Sequence, residues 1–549
     1  MNEKILVIGG VAAGATGAAK ARRTSETADI TLIEKGKYIS FANCGLPYYT
    51  GGTIKKRSSV LLHTRQSFGK RFNTNVETKT EAINIDPKAK IVELQTSKGL
   101  IERPYDKLLL AVGAKTFIPP IEGVDTVPYF TMRTVEDADA VKKFVETNKP
   151  KSAVIIGAGF IGIEIAEAML HCDVKPYVVE ALDEVMPNFP KSVAMNLREK
   201  MTQTGCEVIV KTFVKKLEQA ENIKVHLSDG RVIDTDMVLM CTGVKPAVDL
   251  ALTAGVELGE RGGVLTNDRM ETNIPDIYAA GDLVEKTHIV TGKKVLLPLA
   301  GPANREGRTA GANMVGGDMR FKGVLGSAVV GFEGFVMAQT GLTYDQAIQA
   351  GFDADYVYTE DVNWASYYPG YGHIFMVTTF DKKSGRLLGV SACGPEGTEK
   401  RADEAAVAIY AGLTVYDLEN LELCYAPPFA SAKENINIAG FVASNSLRGL
   451  GFTIKPEEIL ERVRKNEDLQ LLDVRTEMEC KMYMIDGAQN IYLNELRDNL
   501  DKLDQKQPIY VYCAVGFRGY QAVRSLRNLG YEAYNVTGGI EAYERLKKL

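Results

Sequence analysis

At 549 residues, with 45% hydrophobic and 25% charged residues and a formal net charge of −5, the chain is long enough for three or four domains and has an ordinary globular composition. That charge gives no electrostatic case for nucleic acid, and no apolar run reaches the roughly 20 residues needed to span a bilayer, so neither is expected as a partner. Eight scattered cysteines (44, 172, 206, 241, 393, 424, 480 and 513) lack the paired spacings of a metal knuckle or a disulfide framework. The expectation is therefore reduced thiols in a cytoplasmic protein, no metal, and only about two reactive cysteines.

The chain opens on Lys4-Ile5-Leu6-Val7-Ile8, a short apolar run that reads as a strand rather than a signal peptide. Gly9-Gly10-Val11-Ala12-Ala13-Gly14 follows, then an alanine-rich helix to about Arg23, then Ile30-Thr31-Leu32-Ile33 and Glu34. Strand, glycine turn, helix, strand, acid is the layout that seats a pyrophosphate on a helix N-terminus and a ribose on a carboxylate, here through Gly9, Gly14 and Glu34. Val11 stands where the second glycine of that fingerprint usually falls. Next comes Ile39 to Tyr49, with Cys44 alone among small and apolar residues. It has no Cys-x-x-Cys partner, and its place just after the second strand puts a thiol close to a bound cofactor.

A second copy of the layout begins at Ala153-Val154-Ile155-Ile156 and carries an intact G-x-G-x-x-G in Gly157, Gly159 and Gly162. Its second strand, Tyr177-Val178-Val179, ends on Glu180, a carboxylate that accepts from a ribose 2′-hydroxyl and repels a 2′-phosphate. Glu180 thus favours NADH over NADPH, and two dinucleotide folds in one chain suggest one for FAD and one for the nicotinamide. Leu108 to Ala114 (with Ala111 and Gly113) and Val238 to Gly243 are apolar strands ending in small residues, as if crossing between the two folds. Thr272 to Ala279 leads a third such strand into Gly281-Asp282.

From residue 1 to about 440 this combination resembles the flavoprotein disulfide reductases with two dinucleotide domains, in which the Gly-Asp pair places its carboxylate by the ribityl–phosphate part of FAD. Ser40-Phe41-x-x-Cys44-Gly45-Leu46-Pro47-Tyr48 resembles the single-cysteine branch, the coenzyme A disulfide reductases and their persulfide-reducing relatives. A lone thiol cannot close an internal disulfide, so it cycles through a mixed disulfide or a sulfenic acid. Peroxidases and oxidases of that branch typically carry a histidine in the first glycine turn, and this chain has none before His63. Coenzyme A needs cations near Cys44, and Lys20, Arg22, Arg23 and Arg71 are the candidates. The resemblance implies Thr16, Lys20, Arg23, Ser40, Asn43, Arg71 and Lys433 at or near the coenzyme A positions.

Between about 323 and 442, glycines and aromatics alternate, as in Trp364 to Tyr371, ahead of a β-rich stretch from His373 to Val390 and a helix through Arg401 to Ala411. This resembles the same family's interface domain, which implies an isologous homodimer. Tyr367 and Tyr425 match the two tyrosines that the partner subunit lends to each site, where a phenol can donate to a thiolate leaving group. Packing competes as the role of Tyr367, since Tyr368 and Tyr371 crowd the same segment. Ser444 to Lys455 reads as a linker.

Beyond it, Leu471-Leu472-Asp473-Val474-Arg475 and Pro508-Ile509-Tyr510-Val511-Tyr512 read as strands, the second running into Cys513-Ala514-Val515-Gly516-Phe517-Arg518 and a helix. Converging backbone N–H groups and the helix dipole stabilise a thiolate at Cys513, and Arg518 adds charge. With Gly538-Gly539, these features resemble a rhodanese sulfurtransferase domain.

The resemblance implies an α/β chain. A discontinuous Rossmann-like FAD domain spans 1–114 and 265–322, and a Rossmann-like NAD(H) domain spans 115–264. An α+β dimerisation domain follows at 323–443, with a linker at 444–455 and an α/β rhodanese domain at 456–549. It implies reduction of a coenzyme A persulfide or disulfide by NADH (or NADPH) through FAD, with Cys513 carrying sulfane sulfur from a donor left open. Two alternatives stay open: a coenzyme A-independent polysulfide reductase or NADH oxidase, and a sulfur-sensing or sulfur-carrying flavoprotein.

Overall fold

A computed structural model describes residues 2–548; Met1 and Leu549, the outer limits of the first and last expected domains, lie outside it. The chain divides into two units, one taking in the chain up to Asp183 together with Thr202–Val324, the other Glu184–Met201 and everything from Leu325 onward.

Two parallel sheets organise the first unit. One has five strands in the order Ile277–Ala279, Lys107–Leu110, Lys4–Ile8, Asp29–Glu34, Asn75–Thr78. The other has four, Glu207–Ile209, Lys175–Val179, Ser152–Ile156 and Met237–Met240. Their central strands are continuous apolar runs, buried from Ile5 to Ile8 and from Ala153 to Ile156, as strands covered on both faces must be. Each central strand runs through its glycine turn into a helix, Ala12–Thr24 or Phe160–Leu170. The segments expected to cross between the folds do so one step later than anticipated. Lys107–Leu110 and Met237–Met240 lie inside the sheets, and the crossing is a short antiparallel ribbon of Ala114–Thr116 against Val244–Pro246.

The second unit holds a five-stranded antiparallel sheet in the order Ala328–Phe332, Phe335–Gly341, Leu387–Gly394, His373–Asp381, Ala354–Val362. It also holds a five-stranded parallel sheet in the order Thr453–Ile454, Ala533–Val536, Ile509–Tyr512, Gln470–Asp473, Gln489–Asn490. The expected linker is corrected here. Ser444 to Leu447 are the last turn of the Asn435–Leu447 helix, and Thr453–Ile454 is an edge strand paired with Asn535 and Val536. The serine that suggested flexibility is fully buried, its hydroxyl bonded to the Phe441 carbonyl and to Glu419, a back-bond that a helix tolerates.

Side chains also tie the parallel-sheet module to the antiparallel sheet. Tyr358 donates to Glu457 at 2.5 Å, Lys455 pairs with Asp355 at 2.9 Å, and Arg545 pairs with Glu360 at 2.7 Å while lying over the Phe375 ring. No helix among the described residues is long and apolar enough to cross a membrane.

Candidate functional site

The Lys4–Ile8 sheet ends in a cavity of about 690 Å³, lined by the Gly9 to Ala13 turn, Glu34, Asn43, Ala111 to Gly113, Arg133 and Asp282. The turn works because side chains are absent from it. Gly9 sits at φ +103°, and a Cβ on Gly14 would overlap the Gly9 carbonyl, so the helix N-terminus comes down directly onto the strand end. Val11, in place of a glycine, simply lines the cavity. Glu34 accepts from the N–H groups of Gly10 at 2.8 Å and Gly36 at 2.6 Å, which aims its carboxylate along the cavity.

The second turn repeats this arrangement. Glu180, 8% exposed, accepts from Ala158 N–H at 2.8 Å and Leu182 N–H at 2.9 Å, and a Cβ on Gly162 would again overlap the carbonyl of Gly157. Gly159 and Gly243 face open space at the same strand ends.

Gly281-Asp282 rests on charges that the sequence reading passed over. Glu306 accepts from Gly281 N–H at 2.7 Å, and Lys286 donates to the carbonyls of Gly281 at 2.9 Å and Val284 at 3.1 Å. The Lys286 and Glu306 side chains lie 3.6 Å apart, both wholly buried. Burial pushes the Glu306 carboxyl up to about 7 despite the lysine, and its second oxygen has no hydrogen-bond partner. Burial likewise raises Asp282, against the pull of Lys286 and Arg133. An acid inside the alanine- and glycine-rich helix Ala300–Asn313 was the available signal. A glycine cradle, a carboxylate beside it and a propped acid at the far wall suit a dinucleotide such as FAD. Gly9, Gly14, Glu34, Ala111, Gly113 and Asp282 are the residues that would hold it.

Cys44 sits in the single turn Asn43–Gly45, and the segment is pinned to the glycine turn where Ser40, at φ +45°, donates its N–H to the Gly10 carbonyl at 2.8 Å. Cys44 is exposed as a residue. The concave wall around it still raises its pKa, as do the carboxylates of Glu164 and Asp282. Asn43, the residue before Cys44, and Asp282 both line the cavity. Glu164, itself pushed by burial up to about 7, accepts from the Tyr48 hydroxyl at 3.4 Å. Their contact was not legible in the sequence, because 116 positions separate them.

The candidate coenzyme A contacts divide. Thr16, Lys20 and Arg23 share one face of the Ala12–Thr24 helix, at i, i+4 and i+7. Arg71 is exposed beside Phe72, and Lys433 is exposed in the second unit. Arg22 is corrected: 6% exposed, it donates to the carbonyls of Ser25, Glu26, Ala28, Phe72 and Asn73, so its guanidinium is a structural clamp with nothing left for a ligand.

In the second unit, Tyr367 and Tyr425 meet hydroxyl to hydroxyl at 2.7 Å. Tyr367 is 73% exposed, which removes packing as its role within this unit. The hydrogen bond with Tyr367 raises the Tyr425 phenol.

Cys513 closes the Ile509–Tyr512 strand and is 1% exposed. Gly516, at φ +107°, turns its N–H onto the Cys513 sulfur at 3.1 Å. The Gly539–Lys547 helix is seated on the same loop, with Ile540 N–H donating to the Cys513 carbonyl and Glu541 N–H to that of Ala514. Arg518 faces Cys513 and is held by Glu479 through two bonds of 2.9 and 2.6 Å.

Residues 3–307 match the model of the pyridine nucleotide-disulphide oxidoreductases, 327–436 that family's dimerisation domain, and 455–546 a rhodanese-like domain. The structure of reduced Bacillus anthracis CoADR-RHD superposes with a TM-score of 0.97 at 38% identity, covering 100% of this chain and 99% of that one. A NAD-dependent persulfide reductase from A. fulgidus gives 0.93 at 35% identity, covering 98% and 99%. Among curated relatives, an NADH oxidase of Methanocaldococcus jannaschii is 34% identical over 79% of this chain and 97% of its own length. A CoA-dependent NAD(P)H sulfur oxidoreductase of Pyrococcus furiosus is 35% identical over 78% and 96%. The chain belongs to the pyridine nucleotide-disulphide oxidoreductases, enzymes that use FAD and NAD(P)H, and it carries that family's dimerisation domain and a C-terminal rhodanese-like domain.

Proposed function

We propose that this enzyme is a homodimeric NADH-dependent reductase of coenzyme A persulfide and coenzyme A disulfide, coupled to sulfane-sulfur transfer at Cys513. The observation that carries the reading is Cys44: one exposed cysteine directly after Asn43, which lines a dinucleotide cavity together with Asp282. The names of the Bacillus, A. fulgidus and Pyrococcus relatives support the substrate class.

Cys44 attacks the inner, coenzyme A-bound sulfur of the persulfide. The S–S bond breaks, hydrosulfide leaves with the electron pair, and Cys44 is joined to coenzyme A as a mixed disulfide. Bound FAD supplies the two electrons, taken from NADH, that split this disulfide. Coenzyme A thiolate then leaves and Cys44 returns to its reduced form. Thr16, Lys20, Arg23 and Arg71 offer cation and hydroxyl contacts for the phosphates, with Ser40 and Asn43 lining the approach to the thiol. Tyr367 and Tyr425, offered with Lys433 by the other subunit, donate to the departing thiolate.

Gly157, Gly159, Gly162 and Gly243 receive the nicotinamide dinucleotide, and Glu180 on its ribose selects NADH. Cys513 carries sulfane sulfur, with Gly516 N–H and Arg518 stabilising the anion. Coupling of delivery to reduction makes the persulfide the preferred substrate over the symmetric disulfide. Steady-state NADH oxidation with each substrate tests this, and far faster turnover of coenzyme A disulfide would reject the preference.

The Methanocaldococcus relative's name favours a second reading, NADH oxidation by oxygen without coenzyme A. NADH turnover in air that survives Cys44→Ser would support it.

A further inference from the structure

The Cys513 loop combines three features that bear on its sulfur donor. Arg518 already has a counter-ion: Glu479 holds it bidentately, and Thr476 fixes Glu479 in turn through its N–H at 3.0 Å and its hydroxyl at 2.7 Å. Those guanidinium bonds keep the Glu479 carboxyl down at about 2 against the opposing pull of burial, so the pair stays neutral overall at any working pH. Exposed apolar side chains lie on both segments that carry this pair. Met478 and Met482 flank Glu479 on the Glu477–Met482 helix and are 79% and 78% exposed, and Phe517, next to Arg518 in the loop, is 63% exposed. Finally, Cys513 is only 1% exposed, so a donor must shed its water to reach its sulfur.

Thiosulfate brings two negative charges and expels sulfite, also a dianion. Taking such charges out of water against a neutralised arginine is costly, because only an unpaired cation would repay the desolvation. An organic persulfide on an uncharged arm brings at most one charge, and its carbon chain can lie along the methionines, whose polarizable thioethers also suit sulfur contacts.

We infer that the Cys513 loop is loaded by an organic persulfide on an uncharged arm and discriminates against thiosulfate, through the Glu479–Arg518 pair and the exposed Met478, Met482 and Phe517 side chains. This rests on the reading of Cys513 as a sulfur carrier and names its donor class. In the step, the Cys513 thiolate attacks the outer sulfur of R–S–SH. The S–S bond breaks, its electron pair leaves on the inner sulfur as R–S⁻, and Cys513–S–SH forms with the proton still on the transferred sulfur. No outside oxidant or reductant enters.

The test is thiocyanate formation from cyanide by the full-length, flavin-loaded dimer, with pantetheine persulfide or thiosulfate as donor. The expected kcat/KM for thiosulfate is lower by about 100-fold or more, the scale of one unmatched charge at a few ångströms. Glu479→Gln, which frees the guanidinium, raises thiosulfate use by about 10-fold, whereas Glu479→Asp, which keeps the charge, preserves the discrimination. Equal efficiency of the two donors, or a Gln variant as discriminating as the parent, overturns this inference alone. No transfer from either donor overturns it together with the carrier role of Cys513.

Discussion

Cys44 and Cys513 are asked for the same thing, a sulfur nucleophile that can hold a second sulfur, and the chain surrounds them in opposite ways. Cys44 is exposed, and the charged residues that act on it, Glu164 and Asp282, are both acids that hold its proton on. Cys513 is buried and receives a backbone N–H and an arginine from its own six-residue loop. The rhodanese-like loop brings its own N–H donor to its sulfur by local sequence, with its arginine already paired to Glu479. The Cys44 turn is a position, pinned to the glycine turn through Ser40 and dependent on what binds beside it.

The sharpest way to break that contrast is to remove each thiol. Cys44→Ser is expected to lower persulfide-dependent NADH oxidation by about 1,000-fold or more while leaving cyanide-accepting sulfur transfer unchanged. Cys513→Ser is expected to do the reverse. Loss of both activities in either variant would mean the two sites are not separable.

The next largest effect lies under the cofactor wall. Lys286→Met strips the buried Glu306 of its counter-ion and is expected to cost about 3–5 kcal/mol, read by thermal unfolding, with loss of flavin retention. Glu306 also carries a pH signature. Its carboxyl is raised from 4.5 to about 7 in the fold, so its contribution to stability is complete below pH 4.5 and is lost as the pH rises through about 7. Glu306→Gln, uncharged throughout, is expected to flatten stability over that window.

These two regions also show what could be read from the chain beforehand. The glycine turns, the acids at the second strand ends and the Cys513 loop are contiguous motifs whose geometry follows from spacing, so they were legible. The Lys286–Glu306 prop and the Tyr48–Glu164 contact were not, because their partners meet only through packing of distant segments. Arg22 was misread for the same reason. On paper it is a cation at a helix end, and only the fold reveals the carbonyls that converge on it. The supposed linker shrinks to the short exposed turn after Leu447, because serine signals flexibility only when exposed and Ser444 is buried in a helix.

Smaller effects sharpen the comparison. Gly516→Ala, at φ +107°, is expected to cost about 1–2 kcal/mol and to slow sulfur transfer by turning the N–H off the sulfur, with NADH oxidation untouched. At the other site, Glu164→Gln removes an anion and is expected to lower the raised Cys44 pKa. Alkylation of Cys44 at mildly alkaline pH, followed by mass spectrometry, should then run about two- to five-fold faster. An unchanged rate would show that burial alone raises the thiol.

The central claim, that Cys44 exchanges sulfur with coenzyme A through a covalent mixed disulfide, is tested most directly by intact-protein mass spectrometry of the oxidised enzyme after treatment with coenzyme A disulfide. The account predicts one coenzyme A per chain, mapped to Cys44, absent from Cys44→Ser and released by NADH. No adduct, an adduct on another cysteine, or one that NADH does not release would contradict it.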